Sequence, residues 1–237
     1  MTLDEAMAAL EAAGTEQNRN IYRRHGARDP MFGVSAAATG ALVKAIKRDT
    51  SLARKLWATG NHDARVLATF IADPADMVLA ELDAWVRGAE NHVLVDAVCR
   101  NVAIRSPHAH HMAAAWTADT GEHVAAAGWT LAGLLADGGE VDESALERML
   151  ERIEAGIHTA PNRTRHAMNG ALIGIGCRGS SWTDRALAVA QRIGTVEVDH
   201  GETGCKTPDA ASYIAKTLAH RAKKKPGAKK KPGAKKR

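Results

Sequence analysis

With 237 residues, 45% of them apolar, the chain can bury one sizeable core or two small ones without disulfide or metal staples, and a single domain with a tail is the economical arrangement. Alanine dominates the apolar set and aromatics make up only 4%, which favours helices packed closely through small side chains over β-sheets. The net charge of +5 conceals a division: residues 221–237 hold ten of the 32 basic residues and no acid, leaving 22 bases against 27 acids, or about −5, in residues 1–220.

Cys99, Cys177 and Cys205 are odd in number, widely spaced and without a CxxC pair, which points to reduced thiols rather than a disulfide scaffold or zinc ribbon. The N-terminus carries Asp4 and Glu5, and no apolar run approaches the roughly 20 residues of a membrane span. A cytoplasmic protein with no membrane partner is expected.

In chain order, residues 3–13 read as an alanine-rich amphipathic helix, and Arg19 to Pro30 as a basic, irregular connection. Met31 to Ser35 reads as a turn into a helix capped by Ser35. Helices are then expected near 36–48, 51–59, 61–72, 75–87, 90–103, 107–117, 121–136, 142–155, 161–177 and 180–193, divided by Gly, Pro, Asn and Asp signals. The second members of successive pairs start near 61, 90, 121 and 161. That spacing is the period of a stacked two-helix solenoid. Trp57, Trp85, Trp116, Trp129 and Trp182 are spread along it and suit the core better than a base-stacking platform. After 194 the chain turns polar and turn-rich, with a short helix near 209–219. The folded domain is therefore set at residues 1–219, and 220–237, with two copies of Lys-Lys-Lys-Pro-Gly-Ala, at a disordered tail.

One stretch stands out. In Glu90 to Cys99 the carboxylate of Asp96 sits inside an otherwise apolar run, one turn after His92, at the junction of buried and exposed faces of a helix. A surface pair or a satisfied buried acid has the same pattern, as does a working carboxylate.

The chain resembles the DNA alkylation repair protein family, the HEAT-like-repeat DNA glycosylases of the AlkD type, over roughly residues 20–215. The resemblance is carried by YRRHGARDPMFGV at 22–34, LARKLW at 52–57 with NHDAR at 61–65, Asn91 to Asp96, RHAMNGALI at 165–173 and VEVDHGETGCKTPDA at 196–210. It implies an all-α fold, a right-handed superhelical α-solenoid of HEAT-like helix pairs that cradles duplex DNA and releases N3- or N7-alkylated purines. An alkylated purine is already cationic and leaves readily, so the site needs a carboxylate against the developing oxocarbenium ion rather than a strong acid. Asp96 aligns with the family's catalytic acid. In the family's best-studied branch that acid is flanked by a tryptophan one turn earlier, an arginine on the next repeat and a tryptophan on a later one. The corresponding residues here are His92, Ala126 and Gly170, which removes two indoles and one phosphate clamp. A non-catalytic helical-repeat protein binding DNA or a protein in the same groove is the other reading.

Basic residues suited to a DNA face include Arg23, Arg24, Lys44, Lys47, Arg54, Lys55, Arg65, Arg100, Arg105 and Arg178. Foremost are Arg163, Arg165 and His166 at the start of a helix, where backbone N–H groups also favour anions, with His92 as a further phosphate contact. In the tail, Lys223, Lys224, Lys225, Lys229, Lys230 and Lys231 supply sequence-independent attraction to DNA, consistent with a monomer associated with the nucleoid. The groups His108, His110, His111 with His123, and Asp199, His200, Glu202, Cys205, lack the spacing of a zinc motif. Neither a metal nor another cofactor is expected.

Overall fold

A computed structural model of the chain describes residues 1–224. Within them lie α1 (Leu3–Ala12), α2 (Glu16–Arg24), α3 (Ala36–Ile46), α4 (Thr50–Ala58), α5 (His62–Ile71), α6 (Leu79–Arg87), α7 (His92–Asn101), α8 (Ala109–Thr117), α9 (Glu122–Gly138), α10 (Glu143–Gly156), α11 (Asn162–Cys177), α12 (Ser181–Ile193) and α13 (Ala210–Lys224), with a 3-10 turn at Ala103–Arg105. Apart from an isolated bridge between Gly14 and Val34, the described residues form no β-structure.

The helices pair as α4/α5, α6/α7, α8/α9, α10/α11 and α12/α13. The second members stack on one another in chain order, α5 on α7, α7 on α9, α9 on α11 and α11 on α13, with α3 preceding α5. This is the HEAT-like arrangement that the spacing of helix starts implies, and those starts fall at 62, 92, 122 and 162. The pairing repeats a chemical device. Asn61 and Asn91, both buried, cap α5 and α7, each accepting two backbone N–H groups through its side-chain oxygen at 3.0–3.1 Å.

The first part of the region read as an irregular connection, Arg19 to Arg24, belongs to a helix, α2, which buries no side chain completely and so leaves no apolar period to read. Thr15 caps it, and Glu16 pairs with Arg19 at 3.4 Å and Arg23 at 2.9 Å. The loop after it is held from a distance. The buried Asp63 carboxylate accepts the backbone N–H groups of Phe32, Gly33 and Val34 at 2.7, 2.9 and 2.8 Å. α6 starts at Leu79 rather than near 75, because Asp73 and Pro74 shape a turn tied to Thr50.

All five tryptophans are buried. Trp57 and Trp85 stack at 4.3 Å between centroids, Trp116 donates to Asp83 at 2.9 Å, and Arg152 and Arg185 lie over Trp129 and Trp182. α9 joins two apolar clusters, one spanning α1 to α9 and the other α9 to α13. It meets α11 backbone to backbone: a Cβ on Gly174 would stand 2.4 Å from the Gly133 carbonyl oxygen, and a Cβ on Gly133 would stand 2.7 Å from Ala171 Cα.

The last helix overruns the expected boundary at 219 and continues to Lys224. Arg221 holds it there, donating to both Asp137 oxygens at 2.8 and 2.7 Å and to the Cys177 carbonyl at 2.9 Å. Lys223 and Lys224 therefore sit on a helical turn rather than in a disordered tail, and the expected contacts of Lys225, Lys229, Lys230 and Lys231 lie outside the described residues. No described helix is long and apolar enough to cross a membrane.

Candidate nucleic-acid interface

Asp96 lies on the second turn of α7, on the face that α7 shares with α5 and α9. Asn91 fixes its angular position through the cap and a 3.5 Å contact to the His62 ring. The carboxyl is half-buried rather than sealed, and it lines three hollows in succession. Toward the N-terminus is an apolar hollow of about 570 Å³ between α3, α5 and α7, walled by Val43, Val66, Phe70 and Val93 and edged by Tyr22 and Arg100. Toward the C-terminus is one of about 580 Å³ between α7, α9, α11 and α13, with Arg100, Lys206, Tyr213 and Arg221 on its walls. Between them is a small hollow enclosed by His92, His123, Ala126, Thr130, Arg163 and His166.

Burial pushes the Asp96 carboxyl up from the usual carboxylate range, against the opposing pull of Arg100, the Thr130 hydroxyl and Arg163. Neither guanidinium is in an ion pair among the described residues. Cys99, one turn beyond, is buried with its thiol pushed up, and its sulfur points to the Ala127 carbonyl at 3.6 Å. It is a packing residue, not a nucleophile.

His92, one turn before Asp96, and His166, expected at a helix start as a phosphate contact, line the same small hollow as Asp96. His123 joins them rather than His108, His110 and His111. His25 lies against His92 at 6.0 Å between ring centroids, and His200 meets His166 edge-on at 5.5 Å. Burial first, then Arg163 and the neighbouring imidazoles, push His92 down to about 4. His166 is lowered by burial, His200, Arg163 and Arg100.

Sequence reasoning missed this gathering. Its signal was present as Asn-His pairs at 61–62 and 91–92, where the histidine opens the helix, with His123 one residue further into the second helix of the next repeat. His200 belongs to it too, its Nε2 lying 3.0 Å from the Thr207 hydroxyl. Among the described residues no group of three or more His, Cys, Asp or Glu side chains is arranged to hold a metal ion.

Arg165 does something other than expected. Its guanidinium donates to the carbonyls of Glu197 at 2.8 Å and Ala160 at 3.1 Å, so it ties the 194–209 segment to α11 instead of facing a phosphate. Asn162 and Asn169 continue that lacing, through Asp199 and the Pro208 carbonyl. Several other basic residues are likewise engaged: Arg23 with Glu16 and Asp29, Arg54 with Glu81, Arg65 with Glu90, and Arg178 with the Val141 carbonyl. At Gly170 a Cβ would meet nothing within 4 Å, and Ala126 is small, so the trough is open on both sides of the acid.

A solenoid of HEAT-like helix pairs, with a half-buried carboxylate and, among the described residues, two guanidinium groups outside any ion pair along its second helices, defines a protein of the HEAT-like helical-repeat class. The sequence matches the family of DNA alkylation repair enzymes over residues 6–214, and the chain belongs to that family. A solved structure described as a new family of proteins related to the HEAT-like repeat DNA glycosylases, with affinity for branched DNA structures, is similar to it with a TM-score of 0.84. That structure is 34% identical, over 93% of this chain and 95% of the other. Uncharacterized proteins of Listeria monocytogenes and Listeria innocua are 27% and 26% identical over 224 residues, covering 91% of this chain and 97% of each relative.

Proposed function

We propose that the chain is a repair protein that binds duplex DNA in the trough centred on Asp96 and favours branched over continuous duplexes. The observation that carries this reading is the open trough, edged by guanidinium groups of Arg100 and Arg163 that make no ion pair among the described residues, with His92, Ala126 and Gly170 standing where the resemblance implies clasping side chains. Without a clasp the trough does not close on one nucleotide. It divides at Asp96 into two hollows of similar size, which suits a junction where strands part. The affinity of the 34% identical neighbour for branched DNA supports the same reading. Fluorescence anisotropy with a labelled four-way junction and a linear duplex of equal length tests it. At least five-fold tighter binding to the junction at matched salt is expected, and equal affinity overturns the preference.

A second reading, excision of cationic N3- or N7-alkylated purines, is favoured by the exposure of the Asp96 carboxyl to the trough. In that reaction the N-glycosidic bond breaks with its electron pair going to the purine, which leaves neutral. Asp96 stabilises the positive C1′ and orients the water that adds there. Arg100, Thr130 and Arg163 oppose the effect of burial and so favour the ionised carboxyl that this step needs. Release of 7-methylguanine and 3-methyladenine from alkylated duplex is measured for wild type and Asp96→Asn. A loss of about 100-fold or more in the variant is expected. Equal release by both removes Asp96 from the chemistry, and no release by the wild type leaves binding as the function. On either reading the protein works at the nucleoid as a monomer, with its lysine-rich C-terminus adding attraction to phosphates.

A further inference from the structure

The histidines around Asp96 come from separate elements: His25 follows α2, His92 opens α7, His123 opens α9, His166 lies on the first turns of α11, and His200 lies in the segment laced over α11. The described fold needs no such convergence, since imidazoles are poor core fillers. Two features point to a ligand. The hollow between His92, His123, Arg163 and His166 has room for about one water-sized atom, and Nδ1 of His166 is buried without a hydrogen-bond partner among the described residues. Arg163 adds a guanidinium that has no carboxylate partner among the described residues; Glu122 accepts its backbone N–H at 2.6 Å.

The charges facing the cluster decide what enters. From α7 come Asp96 and Arg100, from α9 Glu122, from α11 Arg163, and from the 194–209 segment Asp199 beside His200. With the imidazoles neutral, two positive groups stand against three negative ones. An incoming anion then needs protons on the imidazoles.

Building on the trough as a DNA-binding surface, we propose that His92, His123, His166 and Arg163 form a phosphate subsite in which the imidazoles take up a proton as one phosphate oxygen enters the hollow, so that DNA is held more tightly as the pH falls. The depressed basicity of His92 and His166 keeps them neutral in the free protein near pH 7. A bound phosphate, replacing solvent with negative charge and an acceptor for N–H, reverses that preference, and the affinity inherits the proton. A backbone phosphodiester and a free phosphate share this chemistry.

The experiment has two arms on the full chain. In the first, affinity for a labelled junction and proton uptake, read from the buffer dependence of the calorimetric enthalpy, are followed from pH 7.5 to 5.5 at constant ionic strength. The proteins compared are wild type, His92→Gln/His166→Gln and Arg100→Gln. Wild type is expected to gain at least ten-fold in affinity and take up about one proton per site. The double variant loses most of that pH dependence, whereas Arg100→Gln binds more weakly at every pH with the dependence kept.

In the second arm, inorganic phosphate is added to wild type while the imidazole resonances are followed by NMR, with apparent pKa values of His92 and His166 rising by at least one unit. If both arms show no coupling, or if the double variant keeps the wild-type pH dependence, the proposal is overturned even where the DNA still binds. If DNA fails to bind but phosphate raises the imidazole pKa values, the subsite stands with a free phosphate as its ligand, and it is the DNA reading of the trough that falls.

Discussion

Gly170 and Gly174 sit one turn apart on α11, and replacing each by alanine separates helix propensity from helix packing. In an α-helix the change by itself stabilises by about 0.5–1 kcal/mol, since alanine loses less backbone freedom on folding. At Gly170 a Cβ meets nothing within 4 Å, so that gain is realised. At Gly174 the new Cβ stands 2.4 Å from the Gly133 carbonyl oxygen and 3.0 Å from its carbon, and the obstacle is backbone that no rotamer change moves. Relief requires α9 and α11 to separate by most of an ångström, with overpacking of this kind costing about 1–3 kcal/mol. The propensity gain is common to both, so the two variants should differ by the overpacking cost alone, about 1–3 kcal/mol, with Gly170→Ala above wild type and Gly174→Ala below it.

Urea unfolding followed by far-ultraviolet circular dichroism measures both, and in a domain of this size 1 kcal/mol shifts Tm by about 2–4 °C. The same displacement would pull Thr130 away from His166 and weaken junction binding in Gly174→Ala alone. Equal stability of the two variants would refute the idea that α9 and α11 are pinned backbone to backbone.

Further predictions follow from the geometry. Asp63→Asn is expected to destabilise by about 2–4 kcal/mol in urea unfolding, because three backbone N–H groups lose a charged acceptor and one is left buried and unmatched; a loss under 1 kcal/mol would show that the 31–35 loop is held by other contacts. His62, His92 and His166 are all lowered by burial, so the folded protein binds fewer protons than the unfolded chain as the pH falls below the ordinary histidine value, and stability declines on acidification. For His92, moving from 6.5 to about 4, the loss is complete once the pH reaches that lower value; after allowance for partial exposure it amounts to about 2 kcal/mol, and His92→Gln should flatten this part of a stability profile taken from pH 7 to 4. Asp96, raised by burial, acts in the opposite sense and offsets part of the fall. Truncation after Lys224 removes seven basic residues and spares the Arg221 clamp, so duplex affinity should drop sharply at low salt and the dependence of affinity on salt should become shallower; an unchanged salt slope would show that the C-terminus does not touch DNA.

The sequence made the architecture legible wherever burial leaves a period. α5, α7, α9 and α11 each carry an apolar stripe and a capping or turn signal, and their starts are within two residues of expectation. α2 was missed for the complementary reason: it is held by a threonine cap and charge pairs, and buries no side chain completely. At the site, Asp96 was legible as an acid among apolar neighbours. The uses of Arg165 and Asp63 were not, since each bonds to backbone about 30 residues away. Pairings over such distances leave no periodic trace.

What joins the legible part to the hidden part is the repeat itself. Each second helix begins at the same edge of the stack, so residues at equivalent places in successive repeats become neighbours. His92 and His123 are thereby set beside the start of α11, with Arg163 and His166 on it. The same stacking sets Asp96 against Thr130, and the glycine contact between α9 and α11 draws His166 into the same hollow. The acid and the imidazoles thus owe their closeness to one cause, the spacing of helices that pack through alanine and glycine. A change that widened that spacing would loosen the phosphate subsite and the carboxylate together, whereas a change at Gly170, which faces open space, would alter what the trough admits while leaving both intact.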